Sequence, residues 1–278
     1  MSQNLATKFS SKVSERLHSE SVVGSVTNKN YDWAGVDTVK VYSVDNMTMN
    51  DYSRGGDNRY GNADEIGTTL QTWQLAQDRS FTGTIDRLNS EQSQNVTKPG
   101  SILARQIREE VVPEVNAYVL GVINTAGAVA NRDDIVSDAA TTASNAYSDF
   151  LDIQANISDN LGKTTGRVAV MTAAYYNFLK QGGFVLDSDS AYKDRKSGNL
   201  GTVDGCQVVI HTSAEMPASV NLIITHPDVT TFADVLTDYV THKNPRGING
   251  HLVEGRIAYD AFVDTNKVNQ IGIHRTQA

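Results

Sequence analysis

The run LGTVDGCQVVIHTSAEMP (residues 200–217), then NLIIT (221–225), then GHLVEGRIAYDAFV (250–263) decides how this chain folds. In the first run two short β-type segments flank Asp204-Gly205, a pair suited to the positive φ of a tight hairpin turn. Hairpins of that kind occur in many folds. What narrows the choice is the sequel: a buried strand, a short helical stretch starting at Pro227 and running through Val229, Phe232 and Ala233, and closing strands over 252–263 and 268–274 that carry an EGR…YDA run.

Upstream, the first forty residues read as an arm. Leu5, Phe9, Val13 and Leu17 recur every fourth position on a Ser-rich, charged background, a helical stripe that needs a partner surface. Tyr31, Trp33, Val36, Val39, Val41 and Val44 follow, and apolar residues alternate with polar ones from Thr38 to Val44, as in a half-buried strand. The stretch NDYSRGGDNRYGNADE (50–65) has no aliphatic side chain larger than alanine and belongs on a loop tip. Beyond it, 69–75 and 81–88 are β-type runs, and the simplest assembly is a long two-stranded projection. Two strands alone cover too little apolar surface to stand in water, so the projection implies a neighbour.

The longest helical signal follows Lys98-Pro99-Gly100. With Ser101 as cap, Leu103, Ile107, Val111, Val115, Tyr118, Val119 and Val122 fall on one stripe. Pro113 inside it lacks the N–H for the Glu109 carbonyl, which predicts a kinked helix or two helices meeting near Val112. A second, alanine-rich helical region spans 133–157 with Ala139, Ala143, Ala146, Phe150 and either Ile153 or Ile157 inward. A strand at 167–171 and a helix capped by Thr172 and stopped at Gly182-Gly183 complete one α/β unit, and DSDSAYKDRKSGN (187–199) is a polar loop.

Composition restricts function. At 278 residues the chain is near the upper limit for one core. It carries 32 acidic against 24 basic side chains, net −8, with no basic run able to track a phosphate backbone, which argues against sequence-specific DNA binding. The single Cys206 rules out an intrachain disulfide and reads as buried and structural. No signal peptide or run of about 18 apolar residues is visible, so the protein is expected to stay in the compartment where it is made, without a membrane.

Four patterns that suggest chemistry fail on spacing. Gly162-Lys163-Thr164 resembles the end of a phosphate-binding loop, but Ile157 stands where its first glycine belongs and a helix precedes it. Asp187-Ser188-Asp189 imitates a calcium loop, yet Ala191 and Tyr192 occupy the positions of an oxygen ligand and the turning glycine. The histidines at 18, 211, 226, 242, 251 and 274 include no pair three or four apart, and no serine sits in a G-x-S-x-G elbow. No catalytic, cofactor or metal residue is nominated.

The order of pieces, with EEVVPEVNAY (109–118) and the 200–263 region, resembles the major capsid proteins of tailed bacteriophages, of the Hong Kong 97 type. The resemblance implies an α+β fold with an N-terminal arm (1–43), an extended β-hairpin loop (44–97), a long spine helix opening a peripheral domain (98–130), an axial domain (131–235) and peripheral closing strands (236–278). It implies a subunit that self-assembles into hexamers and pentamers of an icosahedral head around double-stranded DNA, touched only weakly and non-specifically. Localisation would be the virion, assembled in the host cytoplasm, with no cofactor. No long helical pro-segment precedes the arm, so a separate scaffolding protein is expected if shaping is needed; portal and decoration proteins are further partners of that family. Expected subunit contacts are Trp73, Arg79 and Arg87 on the loop strands, Arg54 and Arg59 at the tip, and Arg246, Glu254 and Arg256 in the peripheral domain. Two alternatives stay open: an encapsulin-like compartment shell, and a soluble α/β enzyme whose site assembles only in space.

Overall fold

A computed structural model describes residues 21–33, 37–63, 65–92, 98–129, 135–137, 141–160, 162–182 and 201–276. The stripe from Leu5 to Leu17, Val36, Ala139, Gly183 and the 187–199 loop lie outside the described residues.

The alternating runs build three sheets. β1 (Thr38–Val44) and β2 (Thr68–Gln74) pair antiparallel, with Thr38 opposite Gln74 and Val44 opposite Thr68. β3 (Gln77–Asp86) is not the partner of β2, contrary to the projection expected from 69–75 and 81–88. Only Leu75 and Ala76 separate the two strands, and β3 instead pairs along β10 (Gly250–Val263), whose other edge takes β9 (Thr230–Lys243). Ten cross-strand positions with β10 outweigh what a hairpin with β2 would give. Gly255 sits at the middle of β10, where a Cβ would run into Phe81 and Tyr239; its absence lets those two rings stack across the strand at 6.0 Å.

β9 begins where a helical stretch is expected from the sequence. The expected helical stretch through Phe232 and Ala233 is only a turn ending at Val229, because Thr230 and Thr231 already pair with Val263 and Phe262. At the other end of β10, Asp264 caps a short 3₁₀ helix (Thr265–Gln270) by accepting from the Asn266 amide at 3.1 Å. The last strand, β11 (Gly272–Thr276), therefore starts four residues later than expected at 268.

β11 belongs to a mixed six-stranded sheet, in the order β4 (Ile135–Ser137), β11, β8 (Val220–Thr225), β5 (Val168–Thr172), β7 (Cys206–His211), β6 (Thr202–Val203). β4 overturns the helix expected from 133: its β-branched Ile-Val pair lies parallel to β11, and the helix α5 (Ala146–Asp159) begins only after a turn in which Asn145 accepts from the Thr142 amide at 2.7 Å. The hairpin read from Asp204-Gly205 is present as β6–β7, with φ of 47° and 77° at those two residues. Thr172 caps α6 (Ala173–Gln181) through its hydroxyl, which accepts from the Tyr175 amide.

The central strands of this sheet are buried on both faces. Val168, Val170 and Ile223 point toward the long helix, whereas Ala169, Met171, Leu222 and Ile224 point toward Phe150, Ile153, Ile157 and Leu179 of α5 and α6. The long helix is continuous. α3 (Pro99–Gln106) passes through a π turn (Ile107–Val111) into α4 (Val112–Val129). It opens on Pro99 after Lys98, so Ser101 is not its cap. The π turn carries the expected proline: the Val112 amide reaches back to the Ile107 carbonyl, and the widened turn accommodates Pro113 without breaking the helix.

One buried carboxylate joins these parts. Asp260, 3% exposed beside a bulge in β10, accepts from the Ala76 amide (2.7 Å), the Tyr118 hydroxyl (2.7 Å) and the Ala261 amide (2.7 Å). It ties the root of the β1–β2 hairpin to α4 and to β10. Burial, and then the Asp260 carboxylate beside it, push the Tyr118 phenol up to about 12. Asp260→Ala leaves these buried donors without an acceptor and is expected to cost about 3 kcal/mol or more, against about 1 kcal/mol for Tyr118→Phe. Urea denaturation of unassembled subunits measures both.

Candidate assembly interface

The β1–β2 hairpin has two unequal faces because side chains alternate along each strand. Val39, Val41 and Trp73 turn toward the chain, where Trp73 stacks on Phe262 at 5.4 Å and meets Tyr31 edge-on at 5.1 Å. Tyr42 and Leu70, directly opposite each other, turn outward and are 68% and 44% exposed. Val44, Met47, Met49 and Ile66 extend this exposed apolar surface along the projection. The tip beyond it is held across by Asp45 N–H to the Gly67 carbonyl, Ser53 N–H to the Arg59 carbonyl, and an edge-on Tyr52–Tyr60 pair at 5.1 Å. So many exposed large apolar side chains on one projection mark a candidate contact surface.

The charged residues nominated from sequence fall into two groups. Arg54, Arg59 and Arg246 are exposed, the first two at the hairpin tip, where Arg59 donates to the Gly56 carbonyl at 3.3 Å, and the third in the turn between β9 and β10. The others meet a side chain of opposite charge or a histidine within the chain: Arg79 grips Glu114 of α4 through two contacts (2.6 and 3.3 Å), Arg256 grips Asp78 of β3 (2.9 and 2.6 Å), and Glu254 meets His242 at 3.3 Å. Arg87 lies in α2 (Arg87–Gln92), not on a loop strand, and pairs with Glu91 one turn on. The guanidinium of Arg256 holds the Asp78 carboxyl below the usual carboxylate range. Trp73 is buried, so its contacts are internal. The partners Glu114 and Asp78 were invisible in the sequence, since they lie 35 and 178 residues from their arginines.

The first described residues are anchored as well. Asn116 of α4 accepts from the Ser21 hydroxyl (3.3 Å) and the Val22 amide (3.2 Å), and donates to Glu215 (2.9 Å), which meets His211 at 2.9 Å. Elsewhere, Lys163 of the Gly-Lys-Thr sequence faces Asp228 at 3.7 Å, and burial pushes the Cys206 thiol up to about 11. Among the described residues no cluster of His, Cys, Asp or Glu could hold a metal ion, and no helix is long and apolar enough to cross a membrane.

No protein-family model matches the sequence. Nor does any curated protein. Comparison with solved structures does find counterparts over nearly the whole chain. A chain from Mycobacterium phage Che8 superposes with a TM-score of 0.75 at 15% identity, covering 97% of this chain and 96% of its own. A chain from the capsid of the cyanophage P-SCSP1u gives 0.76 at 10%, covering 98% and 93%. One from the mature capsid of bacteriophage PhiM1 gives 0.71 at 9%, covering 98% and 92%. The chain has the phage capsid fold. On that fold the outer face of the hairpin, with Tyr42 and Leu70, is exposed.

Because Tyr42 and Leu70 are exposed and directly opposite, the uncharged, β-compatible pair Tyr42→Thr with Leu70→Thr is expected to change subunit stability by less than about 1 kcal/mol. It should nevertheless raise the concentration needed for assembly at least tenfold, read by light scattering. A second expectation concerns acid. Burial holds His274 below the ordinary histidine range even though Asp149 lies 3.3 Å away, and burial does the same to His226, whose Nδ1 accepts from the Asp228 amide. The unfolded chain takes up protons below about pH 6.5 that the fold refuses, so stability falls as pH drops from there toward the lower folded values. Denaturation midpoints at pH 7.5 and 5.5 should show that loss, and His274→Gln should reduce it.

Proposed function

We propose that the chain is the major capsid protein of a tailed phage, a shell subunit that assembles with copies of itself and has no catalytic role. The observation that carries this reading is the near-complete superposition on chains from phage capsids, joined to an exposed apolar hairpin that a monomer has no use for. In this reading the β1–β2 hairpin, residues 38–74, lies over a neighbouring copy, and β3, although inside the loop expected at 44–97, counts with the sheet of β10 and β9. α3–α4 with the β3–β10–β9 sheet form the peripheral domain, and the six-stranded sheet with α5 and α6 forms the axial domain that meets its copies at capsomer centres. The pairing of β11 with β8 favours counting the closing strand with the axial sheet, although 236–278 as a block reads as peripheral. Arg54, Arg59 and Arg246, exposed at the hairpin tip and the β9–β10 turn, are the nominated charges we assign to contacts between copies.

Hexamers and pentamers closing into an icosahedral shell around double-stranded DNA complete the proposal, with assembly in the host cytoplasm and with scaffolding, portal and decoration proteins as further partners. A modest contact repeated many times in a closed shell resists internal pressure without any single strong bond. A net charge of −8 suits a wall that holds DNA without binding it tightly. Size-exclusion chromatography with light scattering and negative-stain microscopy tests the reading. Closed particles or rings of five or six support it; a monodisperse monomer or dimer at high concentration contradicts it, and particles filled with an enzyme would assign the shell to the encapsulin class.

A further inference from the structure

Between β1 and the tip, the hairpin carries Met47 and Met49, 74% and 94% exposed, the second more open to solvent than any other large apolar side chain described. Met171 and Met216 are buried in the two larger core clusters, and Met1 lies outside the described residues. Among the described residues, then, these two are the thioethers that solvent reaches. The backbone around them is fastened across the hairpin at both ends, by Asp45 N–H to the Gly67 carbonyl and by Ser53 N–H to the Arg59 carbonyl, each at 3.0 Å. Val44 and Ile66, next to the first of these bonds in sequence, are exposed as well. Methionine is the apolar side chain that a mild two-electron oxidant makes polar, and the oxidant has to reach the sulfur to do so.

We propose that Met47 and Met49 form a redox modification site, at which a peroxide converts both thioethers to sulfoxides in the unassembled subunit and the oxidised subunit assembles poorly. The inference rests on the reading of the hairpin as a contact surface between copies. In the reaction a sulfur lone pair attacks one oxygen of hydrogen peroxide, and the S–O bond forms as the O–O bond breaks. The departing hydroxide takes the proton of the new S–OH group and leaves as water. The sulfur gives up two electrons and the peroxide accepts them. Each product carries a strong hydrogen-bond acceptor where a contact between copies would bury apolar surface, and an acceptor buried without a donor opposes that contact. The subunit itself is unaffected, because both side chains face water before and after the change. In a finished particle a neighbouring copy covers the same sulfurs, so the modification acts on free subunits. Methionine sulfoxide reductases reverse it, which makes the site a switch rather than a lesion.

The test treats full-chain, unassembled subunits with dilute hydrogen peroxide, follows each methionine by peptide mass spectrometry and then measures assembly by light scattering. Cys206 is fully buried and its thiol pushed up to about 11, which keeps the reactive thiolate out of the experiment. Met47 and Met49 should gain oxygen at least about tenfold faster than Met171 and Met216, with the thermal midpoint unchanged. The concentration needed for assembly should rise at least about fivefold, and methionine sulfoxide reductases A and B with a thiol reductant should restore it. In Met47→Leu with Met49→Leu, peroxide should leave that variant's own assembly concentration where it was. Three results would overturn the proposal: oxidation of Met47 and Met49 no faster than of the buried pair, full oxidation of both with assembly undiminished, or equal inhibition of the leucine variant by peroxide. Untreated subunits that never assemble would instead sink the shell reading, and this inference with it.

Discussion

The structure depends on one buried carboxylate. Asp260 holds the root of the hairpin, the long helix and β10 with hydrogen bonds of 2.7 Å to each. A carboxylate buried this deeply tolerates little displacement of its donors, since each one lost leaves a buried polar group unsatisfied. The exposed hairpin is thereby given a fixed direction. Around that joint the aromatic side chains close ranks: Trp33 and Trp73 both stack on Phe262, two residues along β10, and Tyr118 meets Tyr259 edge-on at 5.6 Å. The root of the hairpin is thus fixed to the body, while Tyr42 and Leu70 on its outer face stay exposed.

Much of this is legible in the sequence where the signal is local. The Asp204-Gly205 turn, the Thr172 cap, the long helix with its proline and the buried Cys206 each rest on a few neighbouring residues, and each is present. The alternation in TVKVYSV correctly marks a strand. The partner expected for β2 is wrong because β2 and β3 are adjacent in sequence, while the pairing that wins for β3 is with β10, more than 160 residues away. The same non-local pairing turns Phe232 and Ala233 from helix into strand, and pairing with β11 draws Ile135–Ser137 into the edge of the six-stranded sheet.

The candidate interface is legible in outline and not in detail. That a two-stranded projection needs a neighbour follows from its composition; which face needs one requires the register, which sets Tyr42 against Leu70 on the outside and Trp73 on the inside. From sequence alone the arginines are free to meet other copies, but Glu114 and Asp78 take up two of them, and such exposed pairs contribute only about 0–1 kcal/mol. On the proposed function, covering the apolar face of the hairpin offers assembly more free energy than pairing its charges does.

If copies of the chain cover one another in this way, residues 38–74 change environment when subunits assemble. Hydrogen exchange compared between assembled particles and dissociated subunits reads that directly. Amides of 38–74 are expected to gain protection on assembly, while those of β5 and β8, already buried, do not change. Equal exchange of 38–74 in the two states would contradict it.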